Sequence, residues 1–180
     1  MVQNVRMEVR GERVVLRAWR LEDVPAVTAA CQDAEIARWL AFVPQPYTEE
    51  DARFYIQGCL EAGDDRTPFA ITDAETGEVI GSIDMSINRL QTGHIGYWLA
   101  AELRGRGLTT AALRALSRWA IEERGLGRVE LVTDPDNIAS QRVAEKAGFQ
   151  REGILRSILV NRDGSRRDGV MFSLLPEELD

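Results

Sequence analysis

His94-Ile95-Gly96-Tyr97-Trp98-Leu99-Ala100, followed by Arg104-Gly105-Arg106-Gly107-Leu108-Thr109 and a long helical pattern, decides how this chain is read. The first segment has the apolar, aromatic composition of a buried strand. The pattern from about Thr109 to Arg124 puts Leu113, Leu116 and Ala120 on one helical face, with Gly125 as its stop. A strand that passes through a glycine turn into a helix presents backbone N–H groups without intrahelical acceptors, at the positive end of the helix dipole. Such a turn binds phosphate. It matches neither the GxxxxGK[ST] loop nor the GxGxxG fingerprint, and glycine at a strand–helix turn also serves backbone freedom alone.

Downstream, Arg128-Val129-Glu130-Leu131-Val132-Thr133 reads as a strand, Ser140 to Ala147 as a shorter helix ended by Gly148, and two last strands bracket the turn Asn161-Arg162-Asp163-Gly164. Upstream, Phe69-Ala70-Ile71-Thr72 and Val79 to Asp84 form antiparallel strands about Glu75-Thr76-Gly77. Arg13 to Arg17 is a first strand, and Leu21-Glu22-Asp23-Val24 opens a helix with acids in its first turn. A second helix starts after Tyr47, with Thr48 and Asp51 spaced as a capping box. The pattern is α+β: a mixed sheet with helices on both faces, in one domain over residues 1–180.

The length suits one domain with a sizeable core. No apolar run approaches the roughly 20 residues of a membrane span, and Met1-Val2-Gln3-Asn4-Val5-Arg6 lacks an apolar leader, so the expected compartment is the cytoplasm, with no membrane partner. The net charge of −7 argues against a nucleic-acid partner. Residues 1–90 hold 16 acids against 9 arginines and residues 91–180 hold 13 acids against 13 bases, so the whole deficit is N-terminal. That half offers either an acidic surface for a cationic amine or plain solubility charge. Lys146 stands alone beside 21 arginines, which reads as compositional bias. Cys31 and Cys59 lack metal-ligand spacing and read as reduced, buried thiols.

Ile95-Gly96-Tyr97-Trp98-Leu99, Arg104-Gly105-Arg106-Gly107, Asn137-Ile138-Ala139-Ser140, Glu145-Lys146-Ala147-Gly148-Phe149 and Glu152-Gly153 form an ordered series. In that order the chain resembles the GNAT N-acetyltransferase superfamily, in its RimJ/RimL-like branch. The resemblance implies a mostly antiparallel sheet of six to seven strands with splayed central strands, and an acetyl-CoA donor without a metal. It implies that the turn residues Arg104, Gly105, Arg106, Gly107, Leu108 and Thr109 cradle the CoA pyrophosphate. Thr109 departs from the Gly or Ala of the family pattern; its hydroxyl either adds a hydrogen bond or crowds the phosphate. The backbone around Trp98 and Leu99 would hold the pantetheine arm and polarise the thioester. Asn137 would touch the arm unless it is only a turn residue. Ser140 falls where this branch has a hydroxyl that could protonate the departing thiolate, and it also reads as a helix N-cap.

Amide formation needs a neutral amine. At pH 7 deprotonation costs an α-amine about 1 kcal/mol and a lysine amine nearly 5. Some members of this branch carry a carboxylate before the last hairpin turn, but Ile158-Leu159-Val160-Asn161 has none. His94, the only histidine, stands where relatives often have Glu; it is either a base or a solvated strand-end residue. Strand alternation puts it on one face with Gly96 and Trp98. Asp84 is a base, an amine anchor or a solvated carboxylate. Trp39 and Phe42, in the segment Arg38 to Pro44 that joins the two N-terminal helices, either wall an acceptor pocket or belong to the core. Trp19 and Trp119 are assigned to packing.

The expected activity is direct attack of a primary amine, on a protein N-terminus or a small molecule, upon acetyl-CoA in a ternary complex. The competing readings are a CoA-binding regulatory module with weak turnover and a nucleotide-binding domain. A homodimer is left open.

Overall fold

The computed structural model describes residues 8–179; the stretch Met1 to Arg6, read above for a leader, lies outside them. One sheet contains the strands β1 (Glu8–Arg10), β2 (Val14–Arg17), β3 (Arg66–Asp73), β4 (Val79–Ile87), β5 (Thr92–Leu99), β6 (Arg128–Thr133), β7 (Gln150–Val160) and β8 (Arg166–Leu174). Their order is β1-β2-β3-β4-β5-β6-β8-β7, antiparallel except where β5 meets β6. The sheet therefore has eight strands rather than six or seven. The additional one is β1, a three-residue strand too short to show a period of two.

Helices cover both faces, as the pattern required. On one side α4 (Leu108–Glu122) and α5 (Ile138–Lys146) close a core that includes Leu16, Phe69, Ile83, Ile95, Leu113 and Leu116. The Phe69 and Trp119 rings meet edge-on there, centroids 5.9 Å apart. On the other side α1 (Val24–Ala30), α2 (Ala34–Trp39) and α3 (Glu49–Leu60) close a smaller core around Trp19, Val27, Ile36 and Ile56. Trp19 and Trp119 are packing residues, as expected.

Local chemistry explains the helix ends. Thr48 and Asp51 form the reciprocal capping box at α3: the Thr48 N–H donates to Asp51 at 2.8 Å and the Asp51 N–H to Thr48 Oγ1 at 3.2 Å. α5 ends in a Schellman motif, in which the Phe149 and Gly148 N–H groups return to the Ala144 and Glu145 carbonyls and Gly148 takes φ +94°.

Three boundaries differ from expectation. α4 begins at Leu108, because Gly107, at φ +79°, is its left-handed N-cap. α5 begins at Ile138, because Asn137 caps it by accepting the Ser140 N–H at 3.0 Å. Arg38 and Trp39 lie in α2 rather than in a connector; that helix has six residues and is capped by Asp33.

Before α1, the Arg17 guanidinium grips Asp23 with two bonds of 2.8 Å, side chains 12% and 8% exposed. Asp23 also accepts the Arg20 N–H at 2.9 Å, so one carboxylate joins β2 to the helical layer.

Candidate active site

The turn before α4 holds two glycines in the left-handed region, Gly105 at φ +77° and Gly107 at φ +79°. A Cβ on either would meet nothing within 4 Å, so glycine is demanded by the backbone angle and not by crowding. Among the described residues no acceptor meets the N–H groups of Gly105 through Thr110. Six donors are therefore left without a described protein acceptor at the positive end of a 15-residue helix. Beside them lies an open cleft of about 280 Å³ whose wall includes Arg13, Arg106, Arg114 and Lys146. Uncapped donors and four cations suit the phosphates of a CoA.

Leu108 differs from the other turn residues in that its side chain is buried in the core, leaving its N–H to the turn. The Arg104 side chain does not reach toward the cradle. Its Nε and Nη2 donate to the Leu99 carbonyl at 3.2 and 3.1 Å, and its Nη2 also pairs with Asp33.

β5 and β6 pair only over Thr92, Gly93 and His94 against Arg128, Val129 and Glu130. Beyond His94 the pairing with β6 ends while β6 stays paired to β8 along its other edge, and the rest of β5 has no neighbour on that side. This is the expected splay. The Ala100 N–H donates to the Ile80 carbonyl at 2.9 Å. By antiparallel alternation that commits the backbone of Trp98 and Gly96 to β4 and turns that of Tyr97 and Leu99 toward the gap. The expectation for the thioester donor is corrected accordingly: Trp98 is spent on the β4 ladder, and the gap receives the N–H groups of Leu99 and Tyr97.

The gap opens to both faces of the sheet, and the expected catalytic residues divide between them. On the α1–α3 face, Asp84 stands opposite Gly96, and His94 stands opposite Ser86 and beside Glu130. His94 is 48% exposed at the side chain, with Nδ1 3.8 Å from Glu130 Oε1. Asp84 Oδ2 accepts both Nε and Nη2 of Arg66, at 2.7 and 2.5 Å, whereas its Oδ1 is buried with no partner. A Cβ at Gly96 would meet nothing within 4 Å, so there is open space beside that carboxylate. Trp98 lies half-buried against the same layer.

On the other face Ser140 is the third residue of α5, not its N-cap, and its Oγ lies 3.0 Å from the Tyr97 hydroxyl. Burial pushes the Tyr97 phenol up to about 12. The N-cap role expected of Ser140 belongs to Asn137, through its Oδ1; no described partner takes the Asn137 side-chain N–H groups.

Neither Trp39 nor Phe42 is core. Phe42 is 74% exposed. The Trp39 ring is half-buried between two guanidinium groups, with Arg38 and Arg167 at 4.4 and 5.9 Å from its centroid, and Arg167 also pairs with Asp134 at 2.7 Å. From the β7–β8 turn Arg162 donates to the Ala41 and Val43 carbonyls, fastening that hairpin to the segment carrying Phe42. Cys31 and Cys59 are buried, which pushes their thiols up to about 12 and about 11 and leaves them poor nucleophiles.

Sequence reasoning missed the cations Arg13, Arg114 and Lys146, which reach the cleft from the β1–β2 turn, α4 and α5 and form no local motif. It gave no role of their own to Tyr97 and Gly96, although both lie in the decisive strand. The alternation used to group His94 with Trp98 places Tyr97 on the opposite face.

A family profile described as "Acetyltransferase (GNAT) domain" matches residues 13–150. The chain is 31% identical over 172 residues to the "Uncharacterized N-acetyltransferase p20" of Bacillus licheniformis, covering 93% of this chain and 95% of that one. It shares 33% identity over 122 residues with the ribosomal-protein-serine acetyltransferase of Escherichia coli (strain K12), 66% of this chain and 65% of the other. The structure of Mycobacterium smegmatis RimJ in complex with CoA-disulfide superposes with a TM-score of 0.84 at 25% identity, over 97% of this chain and 88% of that one. The splayed strands and the unpaired N–H turn lie inside the matched stretch, and on these grounds the chain belongs to the GNAT superfamily, in its RimJ/RimL-like branch, and is an acetyl-CoA-dependent N-acetyltransferase.

Proposed function

We propose that this single-domain, cytoplasmic enzyme acetylates the α-amine of a protein N-terminus. The observation that carries the reading is the two-sided gap beside β5, with the N–H turn at one end and Gly96, Asp84 and His94 on the face away from α4. Bound in that gap, acetyl-CoA supplies an activated acyl carbon. Gly105 to Thr110 hold its pyrophosphate by their N–H groups, while Arg13, Arg106, Arg114 and Lys146 balance its phosphate charge. The Thr109 side chain is half-buried at the second helical position, where its hydroxyl adds a donor. The Leu99 and Tyr97 N–H groups face the carbonyl oxygen and stabilise the charge that develops on it. Asn137 orients the arm through its side-chain amide.

The Asp84 carboxylate, 28% exposed at its side chain, places negative charge beside the open space at Gly96 and attracts an incoming amine, and His94 takes the proton that the nitrogen loses, directly or through water. Trp39 and Phe42 form the rim over which the acceptor chain enters. The base inventory is modest: one solvent-facing imidazole. An α-amine needs only about 1 kcal/mol to be neutral at pH 7, so it fits this site better than a lysine. The E. coli relative is named for a ribosomal-protein acceptor, which supports a protein as acceptor here.

The test is acetyl-CoA turnover, read by thiol release, across a panel of N-terminal peptides and small-molecule amines. Turnover with peptides bearing a free α-amine is expected; turnover confined to small-molecule amines would overturn the acceptor class. His94→Ala is expected to lower kcat several-fold and to remove the acidic limb of the pH–rate profile, and an unchanged profile removes His94 as base.

A further inference from the structure

Two hydroxyls face each other across the gap. Tyr97 belongs to the stretch of β5 that β6 leaves unpaired, and Ser140 to the first turn of α5. Their oxygens are 3.0 Å apart, and the Tyr97 hydroxyl also lies 3.3 Å from the Ser140 carbonyl. The Ser140 N–H is committed to Asn137, which fixes the residue's backbone. Among the described residues Ser140 Oγ has no other partner, so one of its two hydrogen-bonding roles is unused.

We propose that Tyr97 is a positioning residue for the leaving sulfur: its O–H donates to Ser140 Oγ, which frees the Ser140 proton to point into the gap. The inference rests on the acetyl-CoA reading of that gap. Both acceptors within reach of the half-buried phenol belong to Ser140, and its Oγ at 3.0 Å is nearer than its carbonyl at 3.3 Å, which favours donation to the hydroxyl. The Ser140 hydroxyl, already accepting one hydrogen bond, is then the stronger donor.

In the transfer the amine nitrogen forms its bond to the acyl carbon and the carbon–sulfur bond breaks, its electron pair going to sulfur. The nitrogen's proton leaves to His94 or water. The sulfur departs as a thiolate that accepts the Ser140 hydrogen bond and takes its proton afterwards from solvent. Full proton transfer from the pair is the poorer route. A phenol pushed up to about 12 would be giving its proton to a thiol of about 8.5, which runs uphill. The pair therefore holds charge at the sulfur instead of discharging it.

CoA itself is the probe. Its thiol is titrated in complex with wild type, Tyr97→Phe, Ser140→Ala and the double variant, following thiolate absorbance in the ultraviolet, with calorimetric CoA affinities alongside. The bound thiol is expected to titrate below free CoA in wild type and to return toward the free value in each single variant. The double variant should match Ser140→Ala. In turnover, kcat should fall roughly 10- to 100-fold for Ser140→Ala, the range of a hydrogen bond to a charged group, and about 2- to 10-fold for Tyr97→Phe, the range of a neutral one, with KM for acetyl-CoA within about twofold in both. CoA that binds with an unchanged thiol titration in Tyr97→Phe overturns the inference and leaves the cofactor reading standing, as do single-variant effects that multiply in the double variant. Failure of wild type to bind CoA overturns both.

Discussion

Gly107→Ala tests the cofactor turn through backbone strain alone. Gly107 sits at φ +79°, and a Cβ there meets nothing within 4 Å. The whole penalty is therefore that of an L side chain in the left-handed region, about 1–2 kcal/mol. With CoA bound the turn must keep its geometry, so the full penalty appears in the saturated protein. For a chain of this size that lowers its Tm by about 2–8 °C. Without CoA the turn can relax and recover part of the penalty, and whatever it recovers reappears as weaker CoA binding, at most about 5- to 30-fold. Gly58→Ala is the control. Gly58 lies inside α3, also with nothing within 4 Å of a Cβ but without a positive φ. There the same substitution should stabilise by about 0.4–1 kcal/mol. Differential scanning calorimetry with and without CoA, together with titration calorimetry, reads both. A Gly107→Ala protein with wild-type melting and wild-type CoA affinity refutes the reasoning.

Asp23→Ala should destabilise by about 3–5 kcal/mol in denaturant melts, because it strands the buried Arg17 guanidinium; a loss below about 1 kcal/mol would show that the pair is solvated (the range of exposed pairs). Glu152 is held down to about 2 by Arg128 and Ser173. Its folded value lies below its unfolded one, so its contribution is complete above about pH 4.5 and is lost as pH falls toward about 2. In Glu152→Gln the stability curve should be flatter in that window, and identical acid limbs would exclude the linkage. Gly96→Val puts a side chain into the open space beside Asp84 and should raise the acceptor KM roughly tenfold or more, equivalent to about 1.4 kcal/mol, with little change in Tm. Normal acceptor kinetics would place the amine elsewhere.

The parts of the fold legible in sequence were those with local causes. The α4 stripe, the Thr48–Asp51 box and the hairpin at Gly77 each depend on residues a few positions apart. The glycine turn before α4 was equally legible, since Gly105 and Gly107 answer to their own backbone angles. α2 escaped because six residues make too little periodicity, and its content of Arg38 and Trp39 reads as well in a loop. The site was harder because its residues meet through register. Nothing near Asp84 in the chain announces Arg66 or the space at Gly96, and Tyr97 finds Ser140 across 43 positions. The fate of Trp98 turned on which edge of β5 its amide faces, a fact fixed by the Ala100–Ile80 bond and invisible in composition.

Arg104 opens the cofactor turn, yet its guanidinium binds the Leu99 carbonyl and the Asp33 carboxylate that caps α2. The helix carrying Trp39 is thus tied to the residue from which the glycine turn starts. Thermodynamic linkage sets the rule for any coupling through that side chain: whatever factor acetyl-CoA applied to acceptor affinity, the acceptor would apply to acetyl-CoA. One guanidinium therefore ties the end of β5, the start of the glycine turn and the cap of α2 into a single mechanical unit.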